Sequence, residues 1–193
     1  MLKIFIIIAG IIFSASTFAQ AEKFAGTSVG VNAGYNVETY TKSSVTTTAG
    51  QNNTASNINA TYTFALSPEW TIGTGLTYAL SSTTLATAAA TGNNEYSMNS
   101  HYSLNIEPGY VLNENTLGYF KLSYNSGVVK NTYYSIDQTI TGIGYGLGTK
   151  FFISKNAFLN IEMQQTKYNS YTYVTTVLTH TTTEATVGIG YKF

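Results

Sequence analysis

Few residues of this 193-residue chain combine the type and spacing that chemistry needs. His101 and Ser103 are two positions apart, so on a strand they share a face, where an imidazole could activate a hydroxyl for acyl transfer. His180 has no second ligand at metal spacing. The chain contains no cysteine, which excludes a disulfide framework, a cysteine-based zinc site and a cysteine nucleophile. We expect no catalytic residue and no metal, and we interpret His101 as a hydrogen-bonded interior residue.

A glycine-rich stretch is the one feature that could suggest a nucleotide cofactor. Residues 142–148 read Gly-Ile-Gly-Tyr-Gly-Leu-Gly. Leu147 occupies the third glycine position of a G-x-G-x-x-G loop, and the segment continues as a strand rather than opening a helix. We therefore expect no cofactor.

Seven charged side chains form the larger candidate set, because they fall on the polar face of the strands predicted below. They are Glu38, Glu107, Lys121, Lys150, Glu162, Glu184 and Lys192. Charges buried in a narrow interior are costly unless they are paired. A turn centred on Glu114 would set Glu107 opposite Lys121, and Lys150 comes within one pleat of Glu162. The pattern predicts an ion network that plugs the interior and fixes its register; the alternative is a selectivity filter or gate.

The composition indicates the kind of element that carries these residues. Hydrophobic residues make up 44% of the chain and charged residues only 9%, against roughly 25% in a soluble domain. The 16 Tyr, 10 Phe and one Trp argue against disorder. The net charge is zero, which gives no support to nucleic-acid binding. A membrane barrel fits this composition, because it needs apolar side chains at alternate positions only.

The sequence alternates with period two from residue 27 to the end, in eight segments. In the first, Val29, Val31 and Tyr35 fall on one face while Asn32 and Asn36 fall on the other. Short connections at 67–69, 112–116 and 154–156 alternate with long ones at roughly 41–55, 81–97, 129–138 and 168–182. This arrangement predicts an all-β fold, an eight-stranded antiparallel up-and-down transmembrane β-barrel.

The apolar face of this barrel must point outward. Four or five large side chains from each strand would not fit inside eight strands, and the opposite face is rich in glycine, which suits a crowded interior. The aromatic residues form two bands, as in the interfacial girdles of membrane barrels. Trp70, Tyr110 and Phe151, with Tyr191 and Phe193, lie near the short turns, and Tyr35, Tyr78, Tyr102 and Tyr124 lie toward the long loops.

Residues 1–21 read as a cleavable signal peptide. Lys3 is followed by an apolar run at 4–13 that is too short to span a bilayer as a helix. Ala19-Gln20-Ala21 then offers a cleavage site, with cleavage after Ala19 as the alternative. The barrel domain is thus expected to comprise residues 22–193.

The signal peptide, the eight alternating strands and the ending Gly188-Ile-Gly-Tyr191-Lys192-Phe193 resemble the OmpA/OmpX/Ail type of small outer-membrane barrel. In that family a terminal Phe with aromatic or apolar residues at alternate positions is the signal read by the barrel-assembly machinery, a role that the resemblance assigns to Tyr191 and Phe193. It also implies a place in the cell outer membrane, in contact with lipid and lipopolysaccharide. Since the sequence ends at this strand, we expect no peptidoglycan-binding domain after it.

This resemblance implies a non-enzymatic envelope-structural or surface-interaction role through the extracellular loops. The alternative is a narrow porin-like channel for ions or small apolar solutes. A lipid-modifying enzyme is a more distant alternative, because outer-membrane lipid deacylases also carry a His-x-Ser pair on a strand, whereas here the pair is expected to face inward. Alternation continues through Tyr171 and Val177 past the expected membrane edge, which indicates either an exposed edge for strand addition or a hairpin without a ligand.

Overall fold

The computed structural model describes residues 19–42, 45–86, 96–131, 136–173 and 176–193. A one-turn helix α1 spans Ala19–Glu22 and precedes the first strand. The strands are β1 (Gly26–Lys42), β2 (Val45–Ala65), β3 (Trp70–Ala79), β4 (Thr83–Ala86), β5 (Tyr96–Asn113), β6 (Thr116–Asn131), β7 (Ile136–Phe152), β8 (Ala157–Tyr168), β9 (Tyr171–Tyr173) and β10 (Thr176–Lys192).

Eight of these strands form a closed antiparallel barrel. The order is β1-β2-β3-β5-β6-β7-β8-β10, and β10 pairs with β1 from Ser28↔Lys192 to Lys42↔Leu178, which closes the sheet. The short strands β4 and β9 add to β5 and β10 at the long-loop end. The predicted fold class is confirmed. Closure pairs the edges that an open sheet would leave bare.

Side chains alternate between a buried interior and an exposed exterior along each barrel strand. Outward residues are large and apolar, such as Tyr35 at 68% exposure and Leu147 at 66%. Inward residues of the same strands are buried polar groups and glycines, such as Asn32 and Gly146. This is the inverse of a soluble protein, and it is the pattern expected of a barrel surrounded by lipid.

The strands extend further at the long-loop end than the sequence indicated. Residues 45–55 were expected in a loop, yet they belong to β2 and pair with β1, and β6 and β7 likewise continue to Asn131↔Ile136. Each hairpin satisfies its own backbone hydrogen bonds, and the threonines of these segments favour strands, so the ladders continue where the apolar pattern fades. The loop predictions at 41–55, 129–138 and 168–182 were therefore too long.

A bulge in β5 changes which positions face inward. Ser100 has a positive φ of 50°, and the register with β6 shifts between Asn99 and Tyr102. The inserted residue brings both Met98, on one side of the bulge, and Ser103, on the other, into the interior. Strict alternation does not predict this switch.

No helix in the described part of the chain is long and apolar enough to cross a membrane. Residues 1–18, which hold most of the predicted signal peptide, lie outside the described residues. The signal peptide therefore stays a prediction.

Candidate functional site

The barrel interior contains two buried ion pairs at mid-height. Lys121 Nζ lies 2.8 Å from Glu162 Oε1, and Lys150 Nζ lies 2.8 Å from Glu107 Oε2. These four side chains are at most 13% exposed. Each pair joins strands that are not neighbours: β6 to β8, and β7 to β5. Both pairs therefore cross the lumen rather than running along one sheet face.

The predicted pairing of Glu107 with Lys121 is wrong, although the predicted register is right. The β5–β6 ladder places Ile106 opposite Leu122, so positions 107 and 121 do face each other. Lys121 instead reaches across β7, where Gly146 and Gly148 lie opposite Lys121 and Glu162. Because these glycines have no side chain, the lysine crosses the intervening strand and meets the carboxylate beyond it.

Lys150 and Glu162 do not pair either, because each is bonded to another partner. Lys150 lies opposite Asn160 and extends across β6 to Glu107, with its Nζ 5.0 Å from the centre of the Tyr119 ring. A cation over an aromatic face gains further attraction where water is excluded.

Tyr119 ties the two pairs together, and sequence reasoning missed it. Its hydroxyl lies 2.7 Å from Glu162 Oε2 and 2.9 Å from Asn160 Oδ1. The ring lies over Gly148, where any added Cβ would overlap its Cζ atom. The signal was available, since Tyr119 stands two positions before the lumen residue Lys121 on the same strand. Because Tyr119 is aromatic, it resembles the tyrosines that face the membrane, and the sequence pattern did not single it out.

An apolar plug closes the short-turn end of the lumen. Phe24, Phe152 and Phe158 pack with centroids 5.2 Å apart in both adjoining pairs, and Val111, Leu117 and Ala21 complete the cluster. Ala21 N donates to Pro68 O at 3.0 Å, which holds α1 against the turn between β2 and β3. Ala21 is the last residue of the predicted signal peptide, so cleavage after Ala21 would leave the plug to the three phenylalanines, Val111 and Leu117, whereas cleavage after Ala19 would keep Ala21 in it. Sequence reasoning missed this plug as well. Phe152 and Phe158 each stand two positions from a polar lumen residue, which is the signal that places them inside.

Above the ion pairs lies a small polar cavity of about 30 Å³. Glu38, Glu184, Asn36, Lys121 and Glu162 are among the side chains that line it. Glu38 is fully buried and accepts a hydrogen bond from Thr182 Oγ1 at 2.8 Å. Glu184 Oε1 accepts one from Asn57 Nδ2 at 3.2 Å. Neither carboxylate forms an ion pair within the described residues.

An apolar cap covers this cavity at the long-loop end. Its residues are Leu85, Tyr96, Met98, Val129, Ile140, Tyr168, Tyr171 and Leu178. Tyr171 stacks on His180 and its hydroxyl lies 2.7 Å from His180 Nε2. Burial raises the pKa of Tyr171, which lies on β9, so its hydroxyl keeps the proton.

Lys192 was expected in the lumen network but lies at its end. Its Nζ donates to the backbone oxygen of Ala25 at 2.9 Å, and the residue is only partly buried. It stands beside the apolar plug, below the level of the ion pairs.

The His101–Ser103 pair does not form a catalytic dyad. His101 Nε2 lies 3.3 Å from Asn125 Oδ1 and 3.1 Å from the Tyr168 hydroxyl, while Ser103 Oγ donates to Asn105 Oδ1 at 3.0 Å. A nucleophile and its base must be within hydrogen-bond reach, and each of these groups is bonded elsewhere. In the described part of the chain, no three His, Cys, Asp or Glu side chains form a metal-binding group.

Comparison with known proteins supplies the family. The family model described as outer membrane protein beta-barrel domain matches residues 5–193. This chain belongs to that family. No similar sequence is found among curated proteins.

Solved structures show the same fold at low identity. Neisserial surface protein A is 15% identical, with a TM-score of 0.59 over 88% of this chain and 98% of its own. Ail, the attachment invasion locus protein of Yersinia pestis, was solved with the heparin analogue sucrose octasulfate. It is 16% identical, with a TM-score of 0.51 over 87% of this chain and 99% of its own.

The chain is a member of the outer-membrane barrel family, and its two predicted aromatic bands lie on the outer face of the barrel. All seven residues of the predicted girdles are exposed on the outer face: Trp70, Tyr110, Phe151, Tyr35, Tyr78, Tyr102 and Tyr124. Trp70 and Tyr110 are cross-strand partners whose rings are 5.0 Å apart, near the short turns. Tyr78 and Tyr102 are cross-strand partners near the long loops. The family implies that the short turns face the periplasm and the long loops face outside.

The C-terminal residues proposed to guide assembly lie at the periplasmic edge of this barrel. Phe193 is 71% exposed, its ring centre is 5.2 Å from that of Tyr191, and its N–H donates to Thr27 O at 2.9 Å. The backbone is held while the aromatic side chain stays outside, where another protein can contact it.

Proposed function

We propose that this protein is a non-enzymatic surface barrel that acts through the strands projecting from its extracellular end. The observation that carries this proposal is the sealed lumen beneath a long extracellular extension. An apolar plug, two ion pairs and an apolar cap succeed one another along the interior, and the cavities between them measure about 30 and 10 Å³. About 10–15 Å³ is needed for one water, so neither space offers a route for solutes.

The extracellular extension supports a role in contact with partners. Beyond Tyr35 the β1–β10 ladder continues for seven residues to Lys42, which at about 3.3 Å per residue is about 20 Å of strand. At the long-loop end of β7, the described residues show pairing with β6 alone, since the ladder between β7 and β8 stops at Gly142↔Tyr168. An unpaired edge of this kind supports recognition by strand addition.

The strand edge expected near residues 171–177 has a different form. β10 is paired on both sides there, with β1 at Lys42↔Leu178 and with β9 at Leu178↔Tyr171. The outer edge at this point is therefore that of β9.

The charge of this extension favours an uncharged or mixed partner over a polyanion. Lys130 is half exposed and its Nζ lies 3.7 Å from Asp137 Oδ2, so this extracellular cation is partly neutralised. Ail was solved with a heparin analogue. A polyanion needs several clustered cations, and Lys130 is not part of such a cluster among the described side chains.

The absence of catalysis is supported by the site itself. His101 and Ser103 are hydrogen-bonded to Asn125 and Asn105 rather than to each other, and their side chains point into the lumen rather than toward lipid. The proposed partners are therefore the surrounding lipid and lipopolysaccharide, the barrel-assembly machinery during insertion, and an external partner at the loops.

A narrow channel is the second candidate, and the charged lining of the two small cavities favours it. If the ion pairs acted as a gate, rearrangement of Lys121 and Lys150 would join the cavities into a path. This function predicts stepwise current across a bilayer, whereas a sealed barrel predicts none.

Site-specific labelling tests the surface role, because the chain has no cysteine of its own. Thr172→Cys on β9 and Lys155→Cys on the turn between β7 and β8 are both at exposed positions. A membrane-impermeant maleimide added to intact cells should label Thr172→Cys, and should label the Lys155→Cys control only after permeabilisation. Labelling of both variants, or of neither, on intact cells would rule out a projecting extracellular extension.

A further inference from the structure

Among the described side chains, the lumen of this barrel carries more negative than positive charge. Four carboxylates face it, Glu38, Glu107, Glu162 and Glu184, against two buried lysines, Lys121 and Lys150. Lys121 forms an ion pair with Glu162, and Lys150 forms an ion pair with Glu107. The described residues therefore leave the charges of Glu38 and Glu184 without a buried lysine of their own.

These two carboxylates lie close together on neighbouring strands. Glu184 is opposite Asn36 in the β1–β10 ladder, and Glu38 is two residues further along, opposite Thr182. Both residues face inward and line the 30 Å³ cavity. Two like charges in a confined space repel each other, so the site holds either a compensating positive charge or a proton on a carboxyl group.

Two buried oxygens at this cavity have no hydrogen-bond donor among the described residues. They are Glu38 Oε1 and Asn36 Oδ1, on residues that are 0% and 4% exposed. The Asn36 amide is held in place because its Nδ2 donates to Thr83 Oγ1 at 3.2 Å. Buried acceptors are normally satisfied, so one unsatisfied carboxylate oxygen and one unsatisfied amide oxygen, with the Glu184 carboxylate lining the same cavity, point to a ligand that interacts with oxygen lone pairs.

The surroundings make this a closed site at one level of the barrel. Asn36 follows Tyr35, and the lining residues Thr77 and Asn125 adjoin Tyr78 and Tyr124, so the cavity lies at the height of the extracellular girdle. The Lys121–Glu162 pair forms its floor, and Tyr168 and Met98 of the apolar cap lie above it.

We propose that this cavity binds one divalent cation, with Glu38, Glu184 and Asn36 supplying oxygen ligands. One divalent ion neutralises both unpaired carboxylates, whereas the space does not suit two separate monovalent ions with their waters. Calcium fits the donor set best, because it accepts carboxylate, amide and water oxygens in an irregular shell. Magnesium demands a regular octahedron, and the softer transition metals prefer nitrogen or sulfur. This site is independent of the proposed surface role.

Two other occupants would satisfy part of the site. A water molecule can donate hydrogen bonds to Glu38 Oε1 and Asn36 Oδ1, but it leaves the charge unbalanced. Protons on the two carboxyl groups balance the charge, but then replacing Glu38 by Gln would cost nothing and calcium would have no effect. The experiment separates these cases.

The first measurement is the metal content of the full-length barrel, refolded in a nonionic detergent with calcium and then passed through a desalting column. Because the site is closed, a bound ion should exchange slowly, and we expect about one calcium per folded chain. The Glu38→Gln/Glu184→Gln double variant should retain none. Glu69→Gln is the matched control, since Glu69 is exposed on a periplasmic turn, and it should retain calcium as the wild type does.

The second measurement is stability as a function of free calcium, followed by the temperature at which the compact gel band converts to the unfolded one. By linkage, free calcium at 100 times its Kd should lower the unfolding equilibrium constant about 100-fold in the wild type. The Asn36→Ala variant keeps the carboxylates of Glu38 and Glu184, and it is used if the double variant does not fold. Its stability should increase less with free calcium than that of the wild type. A wild type that retains no calcium, holds only sodium or potassium, or shows stability independent of calcium would overturn the proposal.

Discussion

At the scale of single residues, the lumen depends on small side chains beside large ones. Tyr119 packs over Gly148, and Phe158 packs over Gly190 from the neighbouring strand. Each ring occupies the space that a Cβ atom would fill. The glycines of the lumen face therefore make room for the groups that seal it: Tyr119, which hydrogen-bonds Glu162, and Phe158, which belongs to the apolar plug.

This packing gives a direct test at Gly148. Gly148→Ala should destabilise the refolded barrel by about 1–3 kcal/mol, the usual cost of overpacking, because the methyl group displaces Tyr119 from Asn160 and Glu162. Equilibrium unfolding in denaturant measures the change. Gly118→Ala is the matched control, since an added Cβ there meets the exposed side chain of Leu112 at 3.3 Å and the Tyr110 backbone oxygen at an ordinary 3.9 Å, and should cost much less. Equal losses in both variants would contradict the role assigned to Gly148.

The ion pairs themselves are tested by double-mutant cycles. Removing one partner of a buried pair costs about 3–5 kcal/mol, because the other charge is left unmatched. Glu107→Gln with Lys150→Met should therefore show a large coupling energy in unfolding experiments. A second cycle, Glu107→Gln with Lys121→Met, tests the pair that the strand register suggested. Its coupling energy should be clearly smaller than that of the first cycle. The reverse order, or additive losses in the first cycle, would show that the cross-lumen pairing is wrong.

At the scale of elements, the final strand has two separable roles. The β10 backbone closes the barrel on β1 and β8, whereas the Phe193 ring is 71% exposed and contacts Tyr191 alone among the described aromatic rings. A side chain so exposed adds little to packing. Its proposed task is recognition during assembly.

Deleting Phe193 should separate these roles. The truncated protein should refold in detergent with nearly unchanged stability, yet reach the outer membrane in reduced amount when expressed in cells. Gel mobility with and without heating reports the folded fraction in both cases. Phe193→Tyr keeps an aromatic ring and should assemble almost normally. Normal membrane levels of the deletion variant would remove the assembly role, and a large loss of stability in detergent would make the effect structural.

The elements that could be predicted from sequence are those that lie in the membrane. Each strand there needs an apolar residue at every second position, so the pattern set strand number, facing and the girdles. Above the membrane both faces of a strand are polar, as in residues 45–56 of β2. The alternation of apolar and polar residues therefore no longer indicates a strand there. The bulge at Ser100 could not be predicted either, because no residue type in this stretch indicates a positive φ at a serine.

The candidate site was predictable only in part, for a related reason. Alternation assigns a side chain to the lumen but does not say how far it reaches. Lys121 passes its neighbour on β5 and bonds Glu162 across the glycines of β7. Glu38 and Glu184 were placed correctly on the lumen face, but their shared cavity depends on the three-dimensional closure of β1 on β10.

At the scale of the whole molecule, the interior is layered from the periplasm outward. The layers are the phenylalanine plug, the paired charges, the polar cavity and the apolar cap. Any one of the first, second and fourth layers would obstruct a solute, and the two cavities between the described layers measure about 30 and 10 Å³. The exterior, by contrast, continues from the lipid-facing band into an extension of hairpins. In the function that we propose, the lumen provides stability and the extracellular end provides interaction.

The measurement that tests this account most directly is single-channel recording on the refolded wild-type protein in a planar bilayer. Insertion is checked on the same preparation by heat-modifiable gel mobility, and a Lys130→Met/Asp137→Asn variant, altered only at the exposed extracellular pair, serves as the control. For a sealed lumen we expect no unitary current steps from either protein. Reproducible steps of constant size from the wild type would show that the lumen conducts, and would replace the sealed surface barrel with a channel.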